Sequence, residues 1–231
     1  MSAKPIAVMA DIHGNHLALA ACLRHARERG AETFWFLGDY LGELAYPQKT
    51  MEQLYALAAE FPCVFLRGNK EDYWLDARRN GHSWQAGNST TGALWYTYSH
   101  LTERDLDFFA ALPISRVVTV PGMPPVTLCH GSPRSNREGL VPPSDTAAEG
   151  LACAETQLVL CGHRHRPGEF VHGGKRAVSP GAVGVALNHD GQAEYIIYAF
   201  AHGGFYLAGG IHPRGLRRGA DGRRAARIRA G

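Results

Sequence analysis

Seven side chains with metal-binding chemistry follow directly on five short apolar runs. "PIAVMA" (5–10) leads into Asp11-Ile12-His13, and "TFWFL" (33–37) into Gly38-Asp39. "CVFL" (63–66) leads into Arg67-Gly68-Asn69, "VTLC" (126–129) into His130-Gly131, and "LVLC" (158–161) into Gly162-His163-Arg164-His165. Two carboxylates, four imidazoles and one amide carbonyl suit borderline or hard divalent ions, such as manganese, zinc or iron, and not a thiolate-rich site. The set is too large for one ion with an open position. It suits two ions sharing a carboxylate. Two such ions, two aspartates and a bridging hydroxide leave a net positive centre, which favours an anionic phosphate. Paired ions activate a water and clamp the oxygens of an in-line displacement. The chemistry implied is hydrolysis without a protein nucleophile. His163 and His165, set two apart at a strand end, can each serve a different ion.

The elements that must position these residues alternate between strand and helix. After the first run, "NHLALAACLRHARERG" reads as a helix closed by Gly30. "PQKTMEQLYALAAEF" reads as another, with Pro47 in its first turn. Residues 71–113 read as helical and aromatic, with Thr102 and Asp105 as a capping box. "RVVTV" (116–120) reads as a strand and 144–154 as a helix. "AVSPGAVGVAL" and "AEYIIYAF" read as antiparallel strands and turns. This alternation predicts an α/β fold with βαβ units and two packed sheets in one domain. In such sheets, sites form beyond the carboxyl ends of strands, where all five motifs fall.

The order D-x-H, G-D, G-N, H-G and G-H-x-H resembles the calcineurin-like metallophosphoesterase superfamily. The wording "DIHGNHLAL", "GDYLG", "CHGSPR", "CGHRHRP" and "SPGAVG" is similar to its small bacterial and archaeal phosphodiesterases. The resemblance implies a four-layer αββα sandwich and a dinuclear site. It implies Asp11, His13 and His165 on the first ion, Asp39 bridging, and Asn69, His130 and His163 on the second. Manganese is the first expectation for the two divalent ions; zinc, iron and nickel are compatible. Arg67 matches an arginine that some relatives aim at phosphate, and a guanidinium suits phosphate oxygens. Asn15 opens the first helix and is a candidate substrate contact, as is Arg134. Two departures stand out. "GDYLGEL" lacks the aspartate-arginine pair of protein serine/threonine phosphatases. Lys70 stands where G-N-H is usual, so the histidine acid is absent and Lys70 is expected to act as a positive clamp on phosphate.

These features point to a phosphodiesterase for a small nucleotide-type phosphodiester or phosphoanhydride. The alternatives are a phosphomonoesterase or protein phosphatase, and a non-catalytic metal-binding scaffold on the same fold. The 231 residues are 45% hydrophobic and 19% charged, enough for a substantial core. Five cysteines form no C-x-x-C pair, as in a reducing compartment. With no membrane span and no signal-peptide pattern, the expectation is a cytoplasmic protein that takes a small phosphorylated substrate. The net charge of +3 is uneven: residues 211–231 carry seven arginines and one aspartate. The domain is therefore placed at 1–210 and a basic tail or short helix at 211–231. Such a tail is the one segment suited to nucleic acid. The sequence carries no signal for oligomeric state.

Overall fold

The computed structural model describes residues 4–42, 44–187 and 191–199, together with the backbone of the strand at 204–211. The first half runs β1 (Ile6–Met9), α1 (His16–Glu28), β2 (Thr33–Phe36), α2 (Pro47–Glu60), β3 (Cys63–Phe65), α3 (Asn69–Asn80), α4 (Gly92–Ser99) and α5 (Glu103–Ala111). The second runs β4 (Ser115–Val118), β5 (Val126–Cys129), α6 (Asp145–Ala152), β6 (Leu158–Cys161), β7 (Pro167–His172), β8 (Lys175–Pro180), β9 (Ala193–Ala199) and β10 (Gly204–Ile211). One sheet has the order β10-β9-β1-β2-β3 and the other β4-β5-β6-β8-β7. Both are mixed. β1, β2 and β3 are parallel, as are β5, β6 and β8, and antiparallel strands complete each sheet.

Strand periodicity explains the layers. Along β1, Ile6, Val8 and Ala10 face the second sheet, where they and Trp35 meet Val126, Leu128, Leu160 and Val178. Ala7 and Met9 face the other way, with Phe34 and Phe36, into α1, α2 and α5 through Leu19, Leu54 and Phe109. On the far side, Cys129, Val159 and Cys161 pack against Leu151 of α6. A strand covered on both faces has no polar side, which is why these runs read as continuously apolar. The result is the expected four-layer αββα sandwich.

Local chemistry sets the helix starts. The Asn15 side chain accepts from Ala18 N at 3.1 Å and caps α1. Pro47 opens α2. Thr102 and Asp105 form the reciprocal capping box of α5. The helical stretch over 71–113 resolves into three helices separated by non-helical residues 81–91 and 100–102. The larger difference lies in "AVSPGAVGVAL". Only Lys175–Pro180 of this region is strand, and it pairs parallel with β6 and antiparallel with β7. Residues 181–187 leave the sheet because the backbone is needed at the site: Val183 N donates to Ala10 O and Gly184 N to Asp11 O, each at 2.9 Å. β7, directly after His165, has no counterpart in the sequence reading. All five cysteines are free. Among the described residues no helix is long and apolar enough to cross a membrane. Beyond Ile211, the basic tail and its expected short helix lie outside the described residues.

Candidate metal centre

Parallel pairing brings the carboxyl ends of β1, β2, β3, β5 and β6 to one edge of the sandwich, and the loops there are tied backbone to backbone. Asp11 N donates to Gly38 O at 3.1 Å, and Ile12 N and His13 N share Asp39 O at 2.9 and 3.0 Å. His163 N donates to Asp11 Oδ2 at 3.0 Å, and Lys70 N to Asp39 Oδ1 at 2.9 Å. Close approach requires glycine at two points. A Cβ on Gly38 would lie 2.5 Å from Gly68 N, and one on Gly184 would overlap the Ile12 carbonyl.

The backbone is strained where the chemistry sits. Among the described residues, the non-glycine positions with positive φ are Asp11 (56°), His13 (50°), Asp39 (56°), His163 (67°) and His165 (54°). Each such residue costs of order 1–3 kcal/mol and persists only where its surroundings hold it. All five belong to the set of seven.

The side chains converge in two groups. In the first, His13 Nε2 and His165 Nε2 are 3.0 Å apart, and Asp11 Oδ1 is 3.4 Å from His165 Nε2 and 3.9 Å from His13 Nε2. Donor atoms of Asp11, His13, Asp39 and His165 all lie within 4.8 Å of one another. In the second, His130 Nε2 is 3.1 Å from Asn69 Oδ1 and 3.2 Å from His163 Nδ1. Asp39 stands between the groups. Its Oδ2 is 3.7 Å from His13 Nε2, and its Oδ1 is 3.5 Å from His130 Nε2. Asp11, His13, Asp39 and His130 are buried, whereas His163 and His165 are half-buried and border the open side.

Tautomers make the convergence chemical. His130 Nδ1 lies 2.8 Å from Leu37 O, and His165 Nδ1 lies 2.7 Å from Val185 O. A carbonyl can only accept, so each Nδ1 carries the proton, and a ring in its neutral form would turn its Nε2 lone pair inward. Lone pairs of several imidazoles, a carboxamide oxygen and two carboxylates then face one another at spacings typical of a coordination shell. That arrangement needs cations, and the residues present fit divalent metal. Burial alone would raise Asp11, but its hydrogen bond to His165 and the nearby His130, His165 and His13 hold it below its ordinary value. Burial opposes charge on His165, yet Asp11 draws its pKa upward, while burial and His130 lower that of His163.

The remaining candidates make contacts of their own around these groups. Asn15 uses its oxygen to cap α1 and its amide to reach Gly184 O at 3.2 Å. This makes it a tie between α1 and the 181–187 segment. Arg134 is likewise redirected: its Nε donates to Glu138 Oε2 at 3.0 Å and an NH2 to Glu149 Oε2 at 3.2 Å, toward α6. Arg67 forms an ion pair with Asp72, Nε to Oδ1 3.2 Å. Lys70 Nζ lies 5.4 Å from the centroid of the Tyr73 ring.

One residue in the architecture of the centre is missing from the sequence reading. Glu71 is fully buried and accepts three backbone N–H groups: Asp39 and Gly68 on Oε2 at 2.9 and 2.7 Å, and Tyr40 on Oε1 at 2.9 Å. Burial and the neighbouring Asp39 carboxylate push it up to about 8, against the pull of those three amides. The available signal was a glutamate three residues after Gly68, the capping-box spacing at the start of α3.

Residues 5–203 match the calcineurin-like phosphoesterase superfamily domain, and the chain belongs to that family. It is a metal-dependent phosphoesterase. An uncharacterized protein of Methanocaldococcus jannaschii is 26% identical over 210 residues, 84% of this chain and 82% of that one. A metallophosphoesterase structure from Sphaerobacter thermophilus aligns with a TM-score of 0.68 at 25% identity, covering 85% of this chain and 83% of its own. A hypothetical protein of Pyrococcus horikoshii OT3 aligns at 0.69 and 22% identity, covering 83% and 82%.

Proposed function

We propose that the chain is a phosphodiesterase for a small nucleotide-type phosphodiester or phosphoanhydride, working with two divalent ions, manganese first among them. Asp11, His13 and His165 would hold one ion, Asn69, His130 and His163 the other, and Asp39 both. The observation that carries this reading is the placement of Asp39, whose two oxygens face two separate groups of ligand atoms. Bound ions supply Lewis acidity toward phosphate oxygens and lower the pKa of water. The chain's part is orientation. Leu37 O and Val185 O fix the rings of His130 and His165, the Asp11 carboxylate takes the His163 amide, and the left-handed turns aim all five strained side chains inward.

The test is a screen of metals against substrates. Purified protein saturated with Mn²⁺ should hold two ions per chain and hydrolyse bis(4-nitrophenyl) phosphate faster than 4-nitrophenyl phosphate. A folded chain that saturates at one ion, or that prefers the monoester, overturns the reading.

The two histidines of the β6 loop should separate the ions. His165→Ala should chiefly lose the ion near His13, and His163→Ala the ion near His130, so the two variants should leave different residual metal environments by X-ray absorption. Identical spectra at equal stoichiometry would show that both rings serve one ion.

Without the usual histidine acid, leaving groups that need a proton should react poorly. General acid catalysis is worth typically ~10²–10⁴-fold. Aryl diesters and anhydrides should therefore outrun alkyl diesters by at least the intrinsic difference in leaving-group reactivity. Lys70→Ala should keep both metals while raising KM or lowering kcat.

A further inference from the structure

The large apolar side chains left exposed are unevenly placed. Among the described residues there are eight, and five of them sit beside the metal-centre histidines: Leu17, Leu44, Tyr46, Val141 and Leu187. The other three stand one each on β4, α4 and β7. None of the five belongs to a core cluster. Single exposed apolar side chains are ordinary, but a concentration of them marks a surface that binds something.

Four of the five border the His13–His165 group. Leu44 N donates to His13 O at 3.0 Å, and a Cβ at Gly42 would lie 2.5 Å from His13 Nδ1, so Gly42 and Leu44 lie directly against that residue. Two residues on, Tyr46 meets His16, which follows His13 by three; their ring centroids are 4.6 Å apart at 58°. Leu17 is next to His16 in the chain. Leu187 N donates to His165 O at 2.9 Å. On the other group, His163 Cδ2 and Val141 Cγ2 share the space over Gly139, at 3.2 and 3.4 Å from where a Cβ would stand. Tyr46 is the largest of the five side chains and is 49% exposed. Lys49 Nζ lies over its ring at 5.1 Å. A cation–π contact at an exposed site is weak, so a second ring can take its place.

A phosphate at the centre has its charge met by the ions. The exposed apolar side chains add contact with what is esterified to it. A monoester has one such group, which leaves. A diester has a second, which stays bound to phosphorus. Esterification also removes a charge and adds apolar surface, so an apolar rim favours the diester. Tyr46 and His16 contribute ring faces, which pair best with another ring. We propose that Tyr46, with Leu44 and Leu17 near it, receives an aromatic ring on the ester group that the phosphodiester keeps. The chain thereby selects diesters with an aromatic non-leaving group over those with a small aliphatic one. The proposal rests on the phosphodiesterase reading above and narrows its substrate. A nucleobase and an aryl ester offer Tyr46 the same chemistry at different distances from phosphorus.

The experiment holds the leaving group constant. On the Mn²⁺-loaded chain, kcat/KM is measured for three 4-nitrophenyl phosphodiesters whose second ester group is methyl, phenyl or thymidine 5′. Divided by the uncatalysed rates, the parent values should favour phenyl or thymidine over methyl. Tyr46→Ala should lower that preference by about 3-fold to 10-fold, the worth of one aromatic contact. Leu44→Ala should lower it less, and Tyr46→Phe should keep it. Val171→Ala, an exposed position on β7, should leave it unchanged. Loss confined to the phenyl diester places the ring next to phosphorus, and loss confined to the thymidine diester places it a sugar's length away; either supports the site. A smaller change in Tyr46→Ala, or an equal loss on all three diesters, overturns it. A binding arm separates the site from the enzymatic reading. By calorimetry, phenylphosphonate should bind more tightly than methylphosphonate, and Tyr46→Ala should erase most of the difference; equal affinities in the parent overturn the site. No turnover of any diester with that binding difference intact overturns the phosphodiesterase reading and leaves the aromatic site standing.

Discussion

Asp39→Ala should remove hydrolysis and weaken metal at both positions, the largest single effect expected of any substitution in this chain. Asp39 is the residue whose Oδ1 faces His130 and whose Oδ2 faces His13, so its loss takes a ligand from each group at once. Its Oδ1 also accepts Lys70 N, so alanine frees the start of α3 beside Asn69. Losing one preorganised electrostatic contact to a transition state costs about 10²–10³-fold in rate. Losing the shared carboxylate should exceed that, because two ions are displaced together. Asp39→Asn separates charge from shape: it keeps one oxygen and the side-chain volume, and it should retain part of the metal while turnover falls to background. The check is metal stoichiometry beside steady-state rates, with added Mn²⁺ up to millimolar concentrations. Full occupancy of one position in Asp39→Ala, with the other empty, would mean that Asp39 serves a single ion. The bridging arrangement would then be wrong.

Much of this centre was legible in the sequence because its ligands follow strands short enough to be bounded by eye. "LVLC" and "VTLC" are buried on both faces, so they appear as unbroken apolar runs, and the first polar residues after them must lie at the sheet edge. Parallel order then gathers those edges. The unread parts depend on hydrogen bonds between segments far apart in the chain. Asn15 has the same identity whether it meets a substrate or Gly184 O, and only the path of residues 181–187 decides. Arg134 sits beside the His130 motif, yet Glu149, fifteen residues on, draws it toward α6. "AVSPGAVGVAL" has strand composition throughout, but Val183 and Gly184 give their amides to the β1 end and not to a neighbouring strand. The left-handed backbone of Asp11, His13, Asp39, His163 and His165 is only weakly marked in the sequence: aspartate and histidine adopt positive φ more readily than most residues, but the surroundings decide where they do so.

Glu71 is the clearest case of a residue whose role is invisible until the loops are assembled, and its replacement should have the second-largest effect. An acidic side chain in the first turn of a helix ordinarily faces water and complements the helix dipole. Here the α3 start is packed against the β2 end, and the carboxylate receives Asp39 N, Tyr40 N and Gly68 N from two different loops. It thereby sets the backbone of Asp39 and the residue before Asn69 relative to each other. Glu71→Gln keeps the size but turns an NH2 toward at least one of these donors. An unsatisfied buried donor costs about 1–3 kcal/mol, so Tm should fall by roughly 2–12 °C in a chain of this length. Glu71→Ala leaves all three donors without their acceptor and should be harsher. The functional effect should come through the metal. Changes to groups that orient ligands typically cost ~10–100-fold in metal affinity or activity. Glu71→Gln should therefore need about 10–100-fold more Mn²⁺ for half-maximal activity and regain most of its kcat at saturation, whereas Asp39→Ala should not recover at any concentration. Parent-like melting and parent-like Mn²⁺ dependence in Glu71→Gln would show that the two loops hold their positions without it.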